Sequence, residues 1–101
     1  MLDLGKIKQD LYKIKLADGT ILKIKKPTQA MLLTMVEFRN ADEKEDIELL
    51  GDLYVLMLRI FNRNTNDIEF SMDDIQEMFA LETALIVLKD YMDFSFKQLG
   101  E

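Results

Sequence analysis

The sequence predicts an α+β, mainly α fold: an N-terminal two-stranded β-hairpin followed by a compact bundle of three to four helices. Three observations carry this prediction. Apolar residues alternate with lysines on both sides of Asp18-Gly19, Pro27-Thr28 ends the alternation, and beyond it apolar residues recur at helical spacing. A chain of 101 residues with 49% hydrophobic and 32% charged residues is long enough for one core and too apolar for intrinsic disorder. One domain over 1–101 is expected, with the hairpin over 12–26 and the helical bundle over 28–98.

The hairpin is the clearest element. Tyr12, Ile14 and Leu16 alternate with Lys13 and Lys15, and Leu22 and Ile24 alternate with Lys23 and Lys25, the period-two pattern of half-buried strands. Asp18-Gly19 supplies the turn, because both residue types tolerate the positive backbone angle that tight hairpins require. Two strands alone are marginal, so the Tyr12/Ile14/Leu16/Leu22/Ile24 face must rest on the helices.

Proline cannot donate to a sheet ladder and threonine can cap a helix, so Pro27-Thr28 opens a first helix from about Gln29 to Arg39. After "NADEKED", a second helix from about Glu43 to Phe61 gathers its acids at the N-terminal end, where the helix dipole favours them. "NRNTND" ends it, Ile68 to Phe70 forms an extended link, and Ser71 with Asp74 resembles a capping box. A helix from Met72 to about Phe79 leads into a last one from about Leu81 to Lys97; one bent helix or two are both compatible with the pattern.

The apolar arcs are wide. Ile47, Leu50, Tyr54, Met57 and Phe61 form one stripe of the second helix, and Leu49, Leu53, Leu56 and Ile60 form another beside it. Two arrangements satisfy such a helix. Either it is central and everything else wraps it, or an apolar groove is left over for a second copy or an amphipathic partner helix, with seven methionines suited to adaptable contacts.

Charge is divided unevenly. The net charge is −6, yet Met1 to Pro27 holds seven lysines against three aspartates, net +4, while Thr28 to Glu101 is net −10. The lysines of the hairpin, Lys13, Lys15, Lys23 and Lys25, protect strand edges from unwanted pairing or dock an acidic protein surface. Nucleic acid is disfavoured: the chain is acidic, the hairpin has no arginine for bidentate base contacts, and Tyr12 is expected to face inward.

Catalytic and metal chemistry find no support. Cysteine and histidine are absent, which removes thiolate chemistry, the usual proton shuttle and the commonest metal ligand. Asn62, Asn64 and Asn66 alternate like calcium-loop ligands, but Asp67 stands where that loop needs glycine and Asp73 where it needs a bidentate glutamate. Asp73, Asp74 and Glu77 fit cap and dipole roles. No hydroxyl sits in a nucleophile elbow, and no glycine-rich phosphate loop occurs. No catalytic, cofactor or metal residue is assigned, and no enzyme activity is expected. The N-terminus has no apolar core flanked by basic residues and no run of 18 apolar residues exists, so an intracellular protein without membrane contact is expected.

Three stretches together resemble the small tail assembly chaperones of long-tailed bacteriophages of Gram-positive hosts. They are "LADGTILKIKKPT" running from a hairpin into a helix, "VLMLRIFNRNTND" ending a long helix, and "FSMDDIQEMFALETALIVLKDYMDF" in the last helices. The resemblance covers Tyr12 to Phe96 and consists of hydrophobicity and turns rather than chemical motifs. It implies a non-enzymatic protein of the host bacterial cytoplasm, without cofactor, several copies of which coat the helical tape-measure protein and leave as tail-tube protein polymerises. Self-association is implied as well. A groove lined by Leu53, Leu56, Ile60, Leu85 and Leu88 would cover the tape measure's apolar stripes, and the hairpin lysines are the second candidate contact. Two competing functions remain: a small acidic regulatory or adaptor protein that binds a basic partner, and a structural virion protein such as a head-tail connector.

Overall fold

The computed structural model describes residues 1–2, 10–40 and 46–99. Strands β1 (Tyr12–Lys15) and β2 (Ile21–Ile24) are followed by helices α1 (Gln29–Asn40), α2 (Asp46–Phe61), α3 (Met72–Met78) and α4 (Leu81–Leu99). This is the α+β, mainly α order that the sequence predicts. The expected beginning of the second helix at 43–45 lies outside the described residues.

The strands pair antiparallel, Tyr12 with Ile24, Lys13 with Lys23, Ile14 with Leu22 and Lys15 with Ile21. Opposed residues share a face, so Tyr12, Leu22 and Ile24 are buried while Lys13, Lys15 and Lys23 stand in solvent. The connection is a three-residue loop. Leu16 N–H donates to the Thr20 carbonyl at 2.7 Å and Gly19 N–H to the Leu16 carbonyl at 2.9 Å. Gly19 takes the positive φ of 93°, whereas Asp18 acts through its side chain, accepting from Thr20 N–H at 2.9 Å. That bond also holds the Asp18 carboxyl below its ordinary pKa.

Both helix starts behave as their sequences ask. Thr28 Oγ1 accepts from Met31 N–H at 3.2 Å at the head of α1. Ser71 and Asp74 complete a reciprocal capping box on α3, at 3.1 and 2.9 Å, so aspartate serves where glutamate is usual. The last apolar segment is two helices, because Phe79 is extended (φ −127°, ψ 117°) and interrupts the helical backbone. Its side chain is buried at that break.

α2 is the centre of the core. Leu53, Leu56, Met57, Ile60 and Phe61 are all buried, α2 packing on α3 and α4 in one cluster with the inner-face residues Tyr12, Leu22 and Ile24 of the hairpin. Each such side chain stabilises the fold by about 1.5–3 kcal/mol relative to exposure. Phe61 sits between Phe70 and Phe79, with ring centroids 5.7 and 5.1 Å away. Over 53–61, then, these apolar residues of α2 serve the core rather than an open groove.

Three tyrosines tie the layers together. Tyr12 donates to Asp90 Oδ2 at 2.7 Å, linking β1 to α4; Tyr91 donates to the Lys25 carbonyl at 2.8 Å, linking α4 to the end of β2; Tyr54 donates to the Phe79 carbonyl at 2.8 Å. Tyr12 also meets Tyr91 edge to face at 5.2 Å. Burial pushes both phenols well above their ordinary pKa, with the Asp90 carboxylate adding to the effect at Tyr12 and Arg63 opposing it at Tyr91.

Candidate docking surface

The two outer edges of the hairpin determine where a partner can reach. In this register Tyr12, Ile14, Leu22 and Ile24 exchange hydrogen bonds across the hairpin, so the backbone groups of Ile21, Lys23 and Lys25 point away from β1, and those of Lys13 and Lys15 away from β2.

The β2 edge is closed by the loop after α2. Lys25 N–H donates to the Arg63 carbonyl at 3.0 Å, Thr65 N–H to the Lys23 carbonyl at 2.7 Å, and Ile24 and Asn64 form an antiparallel bridge. The Asn66 side chain continues this pairing, accepting from Lys23 N–H at 3.0 Å and donating to the Ile21 carbonyl at 3.1 Å. Arg63 Nε adds a bond to the Lys26 carbonyl at 2.8 Å. Asn64 and Asn62 stiffen the loop: Asn64 Nδ2 donates to the carbonyls of Phe61 and Ile68 at 2.7 and 2.8 Å, and Asn62 exchanges two bonds with the backbone of Phe70 at 3.0 and 2.7 Å. The alternating asparagines that resembled ion ligands are thus substitutes for backbone hydrogen-bonding groups. Among the described residues no cluster of acids that could hold a metal is present.

The β1 edge is open. The outward N–H and C=O groups of Lys13 and Lys15 have no partner among the described residues. Beside this edge runs a cleft of about 630 Å³ between β1 and α4, walled by Ile14, Ile86 and Val87 and rimmed by Lys89, Asp90 and Asp93. A second cleft, about 710 Å³, adjoins it through Ile14, Lys15 and Val87 and is lined mainly by Leu16, Ile68, Phe70, Met78 and Phe79. Ile86, at 68% exposure, and Ile68 and Met78, at 39% and 38%, present apolar surface to these clefts.

The residues expected to form one apolar groove are not together on the surface. Leu53, Leu56, Ile60 and Leu88 are buried in one core cluster with residues of the hairpin, α3 and α4; of the five, Leu85 alone is exposed, at 49%. This corrects the expected groove, and the open apolar surface lies instead in the two clefts beside β1. Sequence reasoning passed over Ile68, Met78 and Val87; Ile86 does carry a signal, since at helical spacing it falls opposite the face formed by Leu81, Ala84, Leu85, Leu88, Tyr91 and Met92. Lys13, Lys15, Lys23 and Lys25 are all exposed on the outer face of the hairpin, around a half-exposed Ile21.

No protein family, curated protein or solved structure matches this chain. No helix among the described residues is long and apolar enough to cross a membrane.

Proposed function

We propose that this chain is a non-catalytic tail assembly chaperone, of the type its sequence resembles, which shields apolar stripes of a helical tape-measure protein until tail-tube protein replaces it. The observation that carries this reading is the pair of adjoining clefts beside β1, whose apolar walls are open to solvent between charged rims. A protomer that buries Leu53, Leu56, Met57, Ile60 and Phe61 of its central helix still exposes Ile68, Met78 and Ile86 in these clefts, and exposed apolar surface lining a cleft marks an interaction site. The Met78 side chain, flexible and polarisable, suits contacts along a repetitive helical partner.

Co-expression with a long tape-measure chain that aggregates when produced alone tests the proposal. The chaperone reading expects the long chain to move to the soluble fraction and to co-purify with this protein, and expects Ile68→Asp with Met78→Asp to abolish both effects while the circular dichroism spectrum stays helical. A long chain that aggregates equally with and without this protein would overturn the reading.

A further inference from the structure

We propose that the open edge of β1 takes an extended acidic segment of a protein partner as a third strand, paired antiparallel to Lys13 and Lys15. The inference stands on the hairpin itself and does not depend on the partner being a tape measure.

Among the described residues the outward N–H and C=O groups of Lys13 and Lys15 have no partner, along an edge that already has the pleat and spacing of a sheet. Addition of a strand there gives main-chain hydrogen bonds, and alternate side chains read the two faces. On the outer face the incoming residues stand directly opposite Lys13 and Lys15. On the inner face the residue between them stands opposite Ile14, above the cleft walled by Val87 and Ile86, where Asp90 and Asp93 of the rim disfavour a second acid and an apolar side chain fits. The segment that fits is therefore one in which acidic and apolar residues alternate. Opposite charges across a strand pair attract, and here two such pairs form in succession.

A second copy of this chain is a poorer occupant. Residues whose backbone groups point outward pair with their counterparts in an antiparallel dimer, so within Tyr12–Lys15 every self-pairing register sets lysine against lysine. Like charges directly opposite are destabilising, and lysines on an edge are a known barrier to self-association. The same two residues that repel a copy select an acidic strand.

Two capped seven-residue peptides serve as probes, one alternating valine and glutamate, the other valine and lysine. Amide hydrogen exchange and titration calorimetry are read on the full chain. The glutamate peptide is expected to slow exchange at Lys13 and Lys15 and to bind about tenfold tighter than the lysine peptide. Lys13→Glu with Lys15→Glu is expected to reverse that preference without altering the helical spectrum. Lys13→Pro, which deletes one outward donor, is expected to weaken the glutamate peptide; should that variant fail to fold, the charge-reversed variant decides. Equal binding of both peptides, no binding of either, or protection of Lys13 and Lys15 that grows with protein concentration in the absence of peptide would each overturn the proposal, the last in favour of a second copy.

Discussion

The two outer edges of the hairpin are built from the same few residue types, lysine alternating with isoleucine or leucine, and they meet opposite surroundings. Along β2 the loop 62–67 supplies backbone and asparagine groups at spacings that satisfy Ile21, Lys23 and Lys25. Along β1, among the described residues, side chains of α4 stand across a cleft and the outward groups of Lys13 and Lys15 have no protein partner. The difference teaches that edge protection is not a property of the strand's own sequence. It comes from what the chain brings alongside: a polar loop closes one edge, and a helix set back by a cleft leaves the other open.

Proline separates the edges most sharply. Lys23→Pro removes the N–H held by Asn66 Oδ1 and breaks the pairing that closes β2, and is expected to cost about 3 kcal/mol, the upper end for a lost hydrogen-bond partner, measured by urea unfolding. Next comes Asn64→Ala, which deletes the bonds to Phe61 and Ile68 and loosens the loop that closes β2. A loss of about 2 kcal/mol is expected, together with faster amide exchange at Lys25.

The tie of β1 to α4 has a smaller effect and a pH signature. Tyr12→Phe loses the bond to Asp90 and should cost about 1 kcal/mol at neutral pH. Tyr12 and Tyr91 have folded pKa values raised above the ordinary phenol value of about 10, so the unfolded chain releases these protons first as pH rises. Above that pH the unfolded state binds fewer protons than the folded state, and stability falls with increasing pH. Denaturation midpoints should decline through this alkaline range in the wild type and decline less steeply in Tyr12→Phe. The smallest effect belongs to Lys13→Pro on the open edge, where no N–H bond to another described residue is lost; a change below about 1 kcal/mol is expected.

The hairpin was legible because period-two alternation and a turn glycine are local signals, and both strands satisfy them within a few residues. The capping residues Thr28 and Ser71 were legible for the same reason. What the sequence could not reveal was non-local. Leu53, Leu56, Ile60 and Leu88 have the pattern of either a core or a groove, and the choice depends on how α3, α4 and the hairpin close over α2, which no spacing along one helix encodes. The asparagines carried a true signal, alternation of amide side chains, whose meaning was fixed only when Asn66 met Lys23, 43 residues earlier in the chain. The clefts beside β1 draw on residues from Ile14 to Asp93, so their existence depends on assembly rather than on any motif.

Amide hydrogen exchange of the free protein, resolved at individual hairpin residues, tests the contrast between the edges most directly. Lys23 and Lys25 should exchange slowly and Lys13 and Lys15 fast, although all four side chains are exposed lysines. Slow exchange at Lys13 and Lys15 at low protein concentration, matching that of Lys23 and Lys25, would contradict the account.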